Sequence, residues 1–219
     1  MRLVLALSVA LIGHSAGAYD GRVGDAMIDL RSDTITRPTP AMKEAMVTAP
    51  LGDDVFGDDP TVLALQDRAV SLLDKEAALY VPSGTMANQL ALRAHTRSGD
   101  EVIAHGRSHI VNYESGAGPA LAGIHLRTID SPDGALPVDE VRGNIHQTLD
   151  PHFAPTTLIC VENTHNGCGG RVVPADNVRE VTQLARERGI GLHLDGARLF
   201  NAKPDDIAGE IFHTAHQPP

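Results

Sequence analysis

The chain contains 219 residues, of which 42% are apolar and 21% are charged. These proportions are typical of a globular domain that is large enough to bury a hydrophobic core. Only 3% of the residues are aromatic and tryptophan is absent, so we expect a mainly aliphatic core. A formal net charge of −10 excludes nucleic acid and anionic membrane surfaces as expected partners, since their phosphates attract basic protein surfaces.

Residues 1–26 form an extension with the features of a secretory signal. Arg2 precedes an apolar run over residues 3–12, and small residues at 15–18 suit signal cleavage. The apolar run is too short to span a bilayer. The competing interpretation is that translation starts at Met27, which would leave the protein cytoplasmic. Both locations stay open, although the lack of an Asn-x-Ser/Thr sequon leans weakly against the secretory pathway.

The sequence after this extension begins with few regular elements. Residues 28–60 are rich in proline, glycine and aspartate, which favours an extended arm with turns and one helix over residues 41–47. Pro60 begins the next helix, because proline suits the first helical turn. Residues 77–81 form a short apolar run that is typical of a buried strand, and residues 86–94 are predicted to be helical.

Strands and helices then alternate along the chain. Apolar runs predict four strands, over residues 101–104, 124–129, 157–161 and 190–194. Before the last strand, four apolar residues at helical spacing predict an amphipathic helix that ends at Gly189: Val178, Val181, Leu184 and Ala185. This alternation predicts an α/β fold with a mostly parallel sheet, and ligands of such sheets bind beyond the carboxyl ends of the strands.

A phosphate-binding turn is the first candidate site. Ser83, Gly84 and Thr85 follow a predicted strand and open a predicted helix. The free N–H groups of a helix N-terminus favour an anion, hydroxyls add donors, and glycine lets a phosphate approach the backbone closely. The alternative interpretation is an ordinary serine N-cap without a ligand.

Further polar side chains follow other predicted strands. Asp195 could pair with a protonated ring nitrogen, and Arg198 could reach an oxygen of the same ring, whereas the alternative is an exposed ion pair of little energetic consequence. His109 could stack on a ring or transfer a proton near neutral pH. In a chain with 11 histidines, an ordinary surface histidine is the alternative for His109 and for His152.

No metal site is predicted. The two cysteines are too few for a disulfide framework. Cys160 lies in an apolar run, where we expect a small buried side chain, and Cys168 lies in a glycine-rich turn. His165, Cys168 and His193 lack the spacing of a zinc site.

Five motifs in the same order resemble the threonine aldolases of the β-eliminating lyase type. They are residues 31–38 (RSDTITRP), 52–60 (GDDVFGDDP), 82–88 (PSGTMAN), 162–166 (ENTHN) and 193–198 (HLDGAR). The resemblance covers residues 27–202, which is nearly all of the chain after the extension. It implies the fold of aspartate aminotransferase, whose large domain has helices on both faces of a mostly parallel sheet.

The resemblance implies an enzyme that uses pyridoxal 5′-phosphate (PLP) to cleave β-hydroxy-α-amino acids, with threonine or allo-threonine giving glycine and acetaldehyde. On this basis Ser83, Gly84 and Thr85 would hold the cofactor phosphate. Asp195 would bind the pyridine nitrogen, and Arg198 would bind the phenolate oxygen.

The resemblance also implies residues that face the substrate. His109 would stack on the cofactor ring and help to deprotonate the substrate hydroxyl. Ser32 would contact the substrate carboxylate, and His152 would lie near the substrate side chain. The family forms homo-oligomers, either dimers or tetramers, with sites that lie between subunits.

The lysine that binds PLP covalently lies in the family well beyond the motif at residues 193–198. The lysines of this chain are Lys43, Lys75 and Lys203, and none has that context. We therefore expect residues 203–219 to be a divergent tail, and the last strands and the small C-terminal domain to be missing. An unpaired apolar sheet edge would then make the chain alone poorly stable or prone to aggregation.

Three functions stay open on this basis. The first is the carbon–carbon lyase activity of the family. The second is a non-catalytic fragment that binds PLP without a covalent link, or that associates with full-length subunits. The third is a different PLP reaction, such as β-elimination or transamination, which the opening motif at residues 31–38 disfavours.

Overall fold

A computed structural model describes residues 31–146 and 150–202 of the chain. The described residues form two compact units, one over residues 31–65 and one from residue 66 onward. The signal-like extension and the predicted tail at 203–219 lie outside the described residues, so the predicted domain boundaries stay predictions. Within the described ranges, no helix is long and apolar enough to cross a membrane.

The unit formed by residues 31–65 contains the helix that was predicted near residues 41–47. Helix α1 spans Pro40–Thr48, and the Thr39 hydroxyl caps it by accepting a hydrogen bond from the Met42 N–H at 3.2 Å. Proline suits the first helical position, because its missing N–H would have no intrahelical partner there. No residue described in this unit is buried, which agrees with the predicted arm of turns.

From residue 60 onward, the described residues form five further α-helices and four strands. The helices are α2 (Pro60–Leu73), α3 (Gly84–His95), α4 (His109–Asn112), α5 (Val138–Asn144) and α6 (Ala175–Glu187). The strands are β1 (Glu101–His105), β2 (His125–Ile129), β3 (Thr156–Glu162) and β4 (Gly191–Asp195). The four strands predicted from residue 101 onward are confirmed, and so are the helices predicted to begin at residue 60 and near residue 86.

The four strands form one sheet in the order β2-β1-β3-β4. Each neighbouring pair is parallel, which confirms the predicted α/β class. The chain runs outward from β1 to β2 and then crosses to the opposite side of β1 to form β3. The direction of winding therefore reverses between β1 and β3, and ligands of such sheets bind outside the carboxyl ends of the strands at that point.

Helices cover both faces of the sheet. In β1, Ile103 packs in the core layer that contains residues of α5 and α6, whereas Val102 and Ala104 pack in the layer that contains residues of α3. All five residues of β1 are buried, as is typical of central strands in parallel sheets. The apolar face predicted for α6 is confirmed, because its four residues are at most 1% exposed: Val178, Val181, Leu184 and Ala185. Gly189, whose φ is 65°, then follows the helix end.

The strand predicted over residues 77–81 is wrong. This segment has no regular secondary structure, and Leu79 and Tyr80 are 69% and 52% exposed. The Tyr80 N–H donates to the side chain of Gln66 at 2.9 Å. An apolar run becomes a strand only where a neighbouring strand satisfies its backbone groups, and no strand among the described residues pairs with this segment. Ser83 therefore follows a loop.

A buried carboxylate joins β1 to both of its neighbours. Glu101 is 1% exposed, and it accepts hydrogen bonds from Arg127 of β2 at 2.7 Å and from the Thr156 hydroxyl of β3 at 2.9 Å. The Nδ1 atom of His146 lies 3.2 Å from the same carboxylate. Burial alone raises the pKa of Glu101, but the hydrogen bonds and the charge of Arg127 outweigh burial and lower it. The carboxylate is therefore held in its ionised form.

We predict that the substitution Arg127→Met lowers the free energy of unfolding by about 2–4 kcal/mol, because it leaves Glu101 buried without its cationic partner. Thr156 and His146 still contact the carboxylate, which keeps the loss toward the lower part of the range for broken buried pairs. Urea unfolding followed by circular dichroism measures the change.

Arg179→Met is the matched control, because Arg179 pairs with Asp176 on the exposed surface of α6. Exposed ion pairs contribute at most about 1 kcal/mol, so this variant should unfold close to the parent chain. Equal losses in the two variants would contradict the importance of the buried pair between β1 and β2.

Candidate functional site

One buried carboxylate connects the segments that follow β1 and β3. Glu162 is the last residue of β3 and is 6% exposed. Its Oε2 atom accepts a hydrogen bond from the His109 N–H at 2.7 Å, and its Oε1 atom accepts one from the Asn166 N–H at 2.9 Å. His109 begins α4, which follows β1. Glu162 thus joins the segments after β1 and β3, between which the direction of winding of the sheet reverses.

The environment of Glu162 raises the pKa of its side chain above the ordinary value. Burial raises the pKa of this carboxyl group, and the negative charge of Asp195 raises it further, while the N–H of His109 opposes the shift. Titratable groups with shifted pKa values cluster at functional sites, so this edge of the sheet is the candidate site of the fold.

Asp195 ends β4 at the same edge of the sheet. Its side chain is held at both oxygens, because Oδ2 accepts a hydrogen bond from the Asn88 amide at 2.8 Å and Oδ1 accepts one from the Ala197 N–H at 3.1 Å. An ionised carboxylate has about four acceptor sites, so Asp195 has capacity for a further donor. Arg198 is half-buried and lies three residues later, at the start of a short 3-10 helix.

The side chain of Asn88, on α3, holds a second carboxylate as well. Its Nδ2 atom lies 2.8 Å from Oε1 of Glu114 and 2.8 Å from Oδ2 of Asp195. Glu114 is 4% exposed and also accepts hydrogen bonds from Gln89 and from Nδ1 of His109, the latter at 2.8 Å. Because a carboxylate oxygen accepts, Nδ1 of His109 is the donor of this hydrogen bond, and Nε2 takes no part in it.

His193 sets the orientation of the Asn88 amide. Its Nε2 atom lies 2.9 Å from Oδ1 of Asn88, and the side chain is wholly buried within β4. Since Nδ2 of Asn88 donates to two carboxylates, Oδ1 must accept, and Nε2 of His193 is therefore the protonated nitrogen. Burial lowers the pKa of His193 to about 4, so the ring is neutral at neutral pH. His193 therefore donates to Asn88, and Asn88 donates to Asp195 and Glu114, so the donor and the acceptor of each hydrogen bond are determined.

The N-terminus of α3 contains the predicted phosphate-binding residues. Ser83 is the N-cap, and its hydroxyl accepts an N–H of the first helical turn at 3.1 Å. Among the hydrogen bonds of the described residues, none uses the N–H of Gly84 or of Thr85. Thr85 and Asn88 are three residues apart and lie on one side of α3. An anion at this terminus would therefore lie on the side of the helix that faces Asp195.

Two predicted substrate-binding residues lie outside this hydrogen-bond network. The His152 side chain is 86% exposed, and its Nδ1 atom lies 2.7 Å from Asp150. Ser32 belongs to the unit of residues 31–65, where its hydroxyl accepts a hydrogen bond from the Thr34 N–H at 3.2 Å. The roles inferred for both residues stay predictions.

Sequence reasoning assigned no role to four residues of the network: Asn88, Gln89, Glu114 and His193. For Asn88 a signal was available, because it lies one helical turn after Thr85 and so shares its side of a predicted helix. Glu114 lies five residues beyond His109, where no motif marks it. Its contact with α3 depends on the tertiary fold alone.

A second group of polar side chains, which we call the His–His–Cys cluster, lies near this edge. It consists of His105, the last residue of β1, and of His165 and Cys168, which follow β3. One ligand atom from each residue lies within 4.8 Å of the other two, and all three residues are buried. The prediction of no metal site rested on the spacing of other residues and did not consider His105. The pairing of β1 with β3 is what brings His105 close to His165 and Cys168.

The edge of the sheet can accommodate groups of opposite charge. The open N–H groups of α3 favour an anion, and Glu114 and Asp195 favour a cation. A phosphorylated ligand with a protonated ring nitrogen has both groups, so the residues present fit PLP.

Comparison with known proteins places the chain among enzymes. Residues 29–216 match the family model of the beta-eliminating lyases. The low specificity L-threonine aldolase of Escherichia coli K12 is 51% identical over 177 residues, which are 80% of this chain and 52% of that protein. The low-specificity L-threonine aldolase 1 of Arabidopsis thaliana is 44% identical over 178 residues, which are 80% of this chain and 50% of that protein.

A solved structure also resembles the described fold. The threonine aldolase of Leishmania major superimposes with a TM-score of 0.62 at 27% identity, over 73% of this chain and 45% of that chain. The chain spans about half the length of the curated relatives that it matches. By sequence and by fold, the chain belongs to the beta-eliminating lyase family, and threonine aldolases are among its relatives.

Proposed function

We propose that this chain forms the cofactor-binding part of a PLP-dependent carbon–carbon lyase that cleaves threonine or allo-threonine to glycine and acetaldehyde. One observation carries the proposal: the Asn88 amide holds Asp195 and Glu114 together, one helical turn from the open N-terminus of α3. Relatives named threonine aldolases share half of their length with this chain and give the reaction class.

The phosphate of PLP would bind at the N-terminus of α3. The backbone N–H groups of Gly84 and Thr85 would donate to it, together with the exposed hydroxyl of Thr85. The Ser83 hydroxyl oxygen accepts the Met86 N–H in the cap, and its own O–H is still able to donate to the phosphate. Ser83 would therefore hold the phosphate together with Gly84 and Thr85.

The pyridine nitrogen of PLP would bind at Asp195. A carboxylate that accepts the N–H of a protonated pyridine stabilises the positive charge of the ring, and Asn88 and Ala197 hold this carboxylate in place. Arg198 would bind the phenolate oxygen from its position three residues later. When bound, PLP accepts the electron pair that is released as the Cα–Cβ bond of the substrate breaks.

His109 is the residue that would move the proton. Its Nδ1–H donates to the buried carboxylate of Glu114, which leaves Nε2 to accept the proton of the substrate hydroxyl. The negative charge of Glu114 stabilises the imidazolium that this transfer produces. The ring is partly exposed, so it can also stack on a bound cofactor. Ser32 would contact the substrate carboxylate, and His152 would lie near the substrate side chain.

A second candidate function is non-covalent binding of PLP without catalysis, or association with full-length subunits of the same family. The observation that favours it is the position of the lysines. Lys43 lies in α1 and Lys75 follows α2, so both precede the hydrogen-bond network of Asn88 in the sequence, while Lys203 is outside the described residues. In the family pattern, the covalent lysine follows the motif at residues 193–198 instead.

We predict that Thr85→Val weakens PLP binding by about tenfold or more, because a hydrogen bond to a charged group contributes about 1.5–3 kcal/mol. Valine keeps the shape of the side chain and removes only its hydroxyl group. Binding of pyridoxal, which lacks the phosphate, should not change. Equilibrium dialysis of the purified chain against each compound measures the two affinities.

Thr96→Val is the matched control at the opposite end of α3, where the Thr96 hydroxyl donates to the Leu92 carbonyl at 2.8 Å. This variant should bind PLP as the parent chain does. Equal weakening of pyridoxal and PLP by Thr85→Val would contradict the placement of the phosphate at this helix.

The reaction class is tested by product analysis. We predict that the chain supplied with PLP converts threonine into equal amounts of glycine and acetaldehyde, above the rate of free PLP. His109→Phe should retain PLP binding through its aromatic face and lose about 10²–10⁴ in rate, because phenylalanine accepts no proton. Tyr113→Phe is the control, since Tyr113 packs 5.6 Å from the His109 ring and loses only its hydroxyl.

Each alternative gives a different result in this assay. A keto acid with ammonia would indicate elimination and overturn the aldol cleavage. PLP binding that depends on Thr85, with no product, would contradict lyase activity of this chain and favour the non-catalytic candidate.

A further inference from the structure

The His–His–Cys cluster has the donor set of a metal site. The three ligand atoms come from two imidazoles and one thiol, and they lie within 4.8 Å of one another. Zinc bonds to these groups are about 2.0–2.3 Å long and tetrahedral, so ligand atoms that share one ion lie about 3.3–3.6 Å apart. Binding of an ion would therefore draw the three atoms closer together.

His165 is the member whose surroundings point most directly to a ligand. It is wholly buried, and neither of its ring nitrogens has a hydrogen-bond partner in the described structure. A buried polar atom without a partner costs about 1–3 kcal/mol. The ring packs closely against Gly134, because a Cβ atom at that position would lie 2.5 Å from Cγ of His165. A bound ion would satisfy one of these nitrogens.

His105 lies edge-on to His165, with ring centroids 4.5 Å apart. Its Nε2 atom accepts the Ser131 N–H at 3.0 Å and lies 3.1 Å from the Ser131 carbonyl oxygen. Contacts at the second ring nitrogen fix the orientation of a metal-binding histidine. The Nδ1 atom of His105 accepts the Arg107 N–H at 3.1 Å, and an ion bound at Nδ1 would replace this hydrogen bond.

Cys168 would supply the negative charge of the site. Metal binding releases the thiol proton to solvent as the sulfur–metal bond forms.

We propose that His105, His165 and Cys168 bind one divalent transition-metal ion of the zinc class, with a solvent molecule in the fourth position. Two imidazoles and one thiolate favour zinc over calcium or magnesium, which prefer oxygen ligands. The proposal does not depend on PLP or on the lyase reaction. It differs from the prediction of no metal site, because that prediction rested on sequence spacing alone.

The ion would fix the segment that follows β3. His165 and Cys168 flank Asn166, whose N–H donates to Glu162 at 2.9 Å. Linking both flanking residues to His105 of β1 holds this turn against the neighbouring strand. The metal is therefore expected to position Glu162 and to stay out of the chemical step.

Cobalt(II) is the probe, because a cysteine ligand produces a sulfur-to-cobalt charge-transfer band in the near ultraviolet. The whole 219-residue chain is stripped with a chelator, kept reduced and titrated with Co²⁺. We expect the band to saturate at one ion per chain and to disappear when Zn²⁺ is added. A titration that saturates without a sulfur band would overturn the proposal without the need for any variant.

Two cysteine variants separate this site from adventitious binding by the other histidines. Cys168→Ala should lose the charge-transfer band and weaken zinc binding by at least about 100-fold. Even the loss of a residue that only hydrogen-bonds to a metal ligand lowers metal affinity by about 10–100-fold. Cys160→Ala is the matched control, since Cys160 is equally a free buried cysteine but packs in the core beside Leu158. It should keep the band and the affinity.

If the band is kept in Cys168→Ala and lost in Cys160→Ala, the sulfur ligand is Cys160, and the proposed site is overturned. Unchanged zinc affinity in Cys168→Ala would do the same.

Discussion

The candidate site depends on the amide group of Asn88. Its nitrogen donates to Glu114 and to Asp195, and its oxygen accepts from His193, so one side chain on α3 connects this helix to β4 and to the segment that follows α4. Two carboxylates that would otherwise repel each other are thereby held at one edge of the sheet. Because burial keeps His193 neutral, the direction of these hydrogen bonds is fixed, and Asp195 and Glu114 keep acceptor sites for partners of positive charge.

Most of the fold could be predicted because its signals are local. Buried parallel strands are continuous apolar runs, and the four runs from residue 101 onward became β1 to β4. The periodic apolar face of α6 packs against the sheet as its spacing indicated. Residues 77–81 carry the same local signal but form no strand, because a strand also needs a neighbour to accept its hydrogen bonds, and composition does not reveal one.

The site residues that could be predicted are those that directly follow strands, because their position in the sequence implies their place at the edge of the sheet. His109 and Asp195 follow strands, and the carboxyl ends of parallel strands meet at one edge, so both were expected near a ligand. Glu114 and His105 could not be assigned in this way. Glu114 contacts Asn88 and Gln89, which are 26 and 25 residues away, and His105 contacts His165 across the sheet. These contacts arise only from the order β2-β1-β3-β4 and from the packing of α3 on the sheet. The family resemblance supplied roles for single residues but no network between them.

The central claim is that the Asp195 carboxylate, held by Asn88, stabilises a protonated pyridine ring. Nitrogen-15 NMR of the chain with PLP labelled at its pyridine nitrogen tests this claim most directly, at a mildly alkaline pH where free PLP is deprotonated at that atom. The account predicts the chemical shift of a pyridinium nitrogen in the parent chain and of a neutral pyridine nitrogen in Asp195→Asn, whose amide cannot balance the positive charge. A neutral pyridine in the parent chain, or a pyridinium in both proteins, would contradict it.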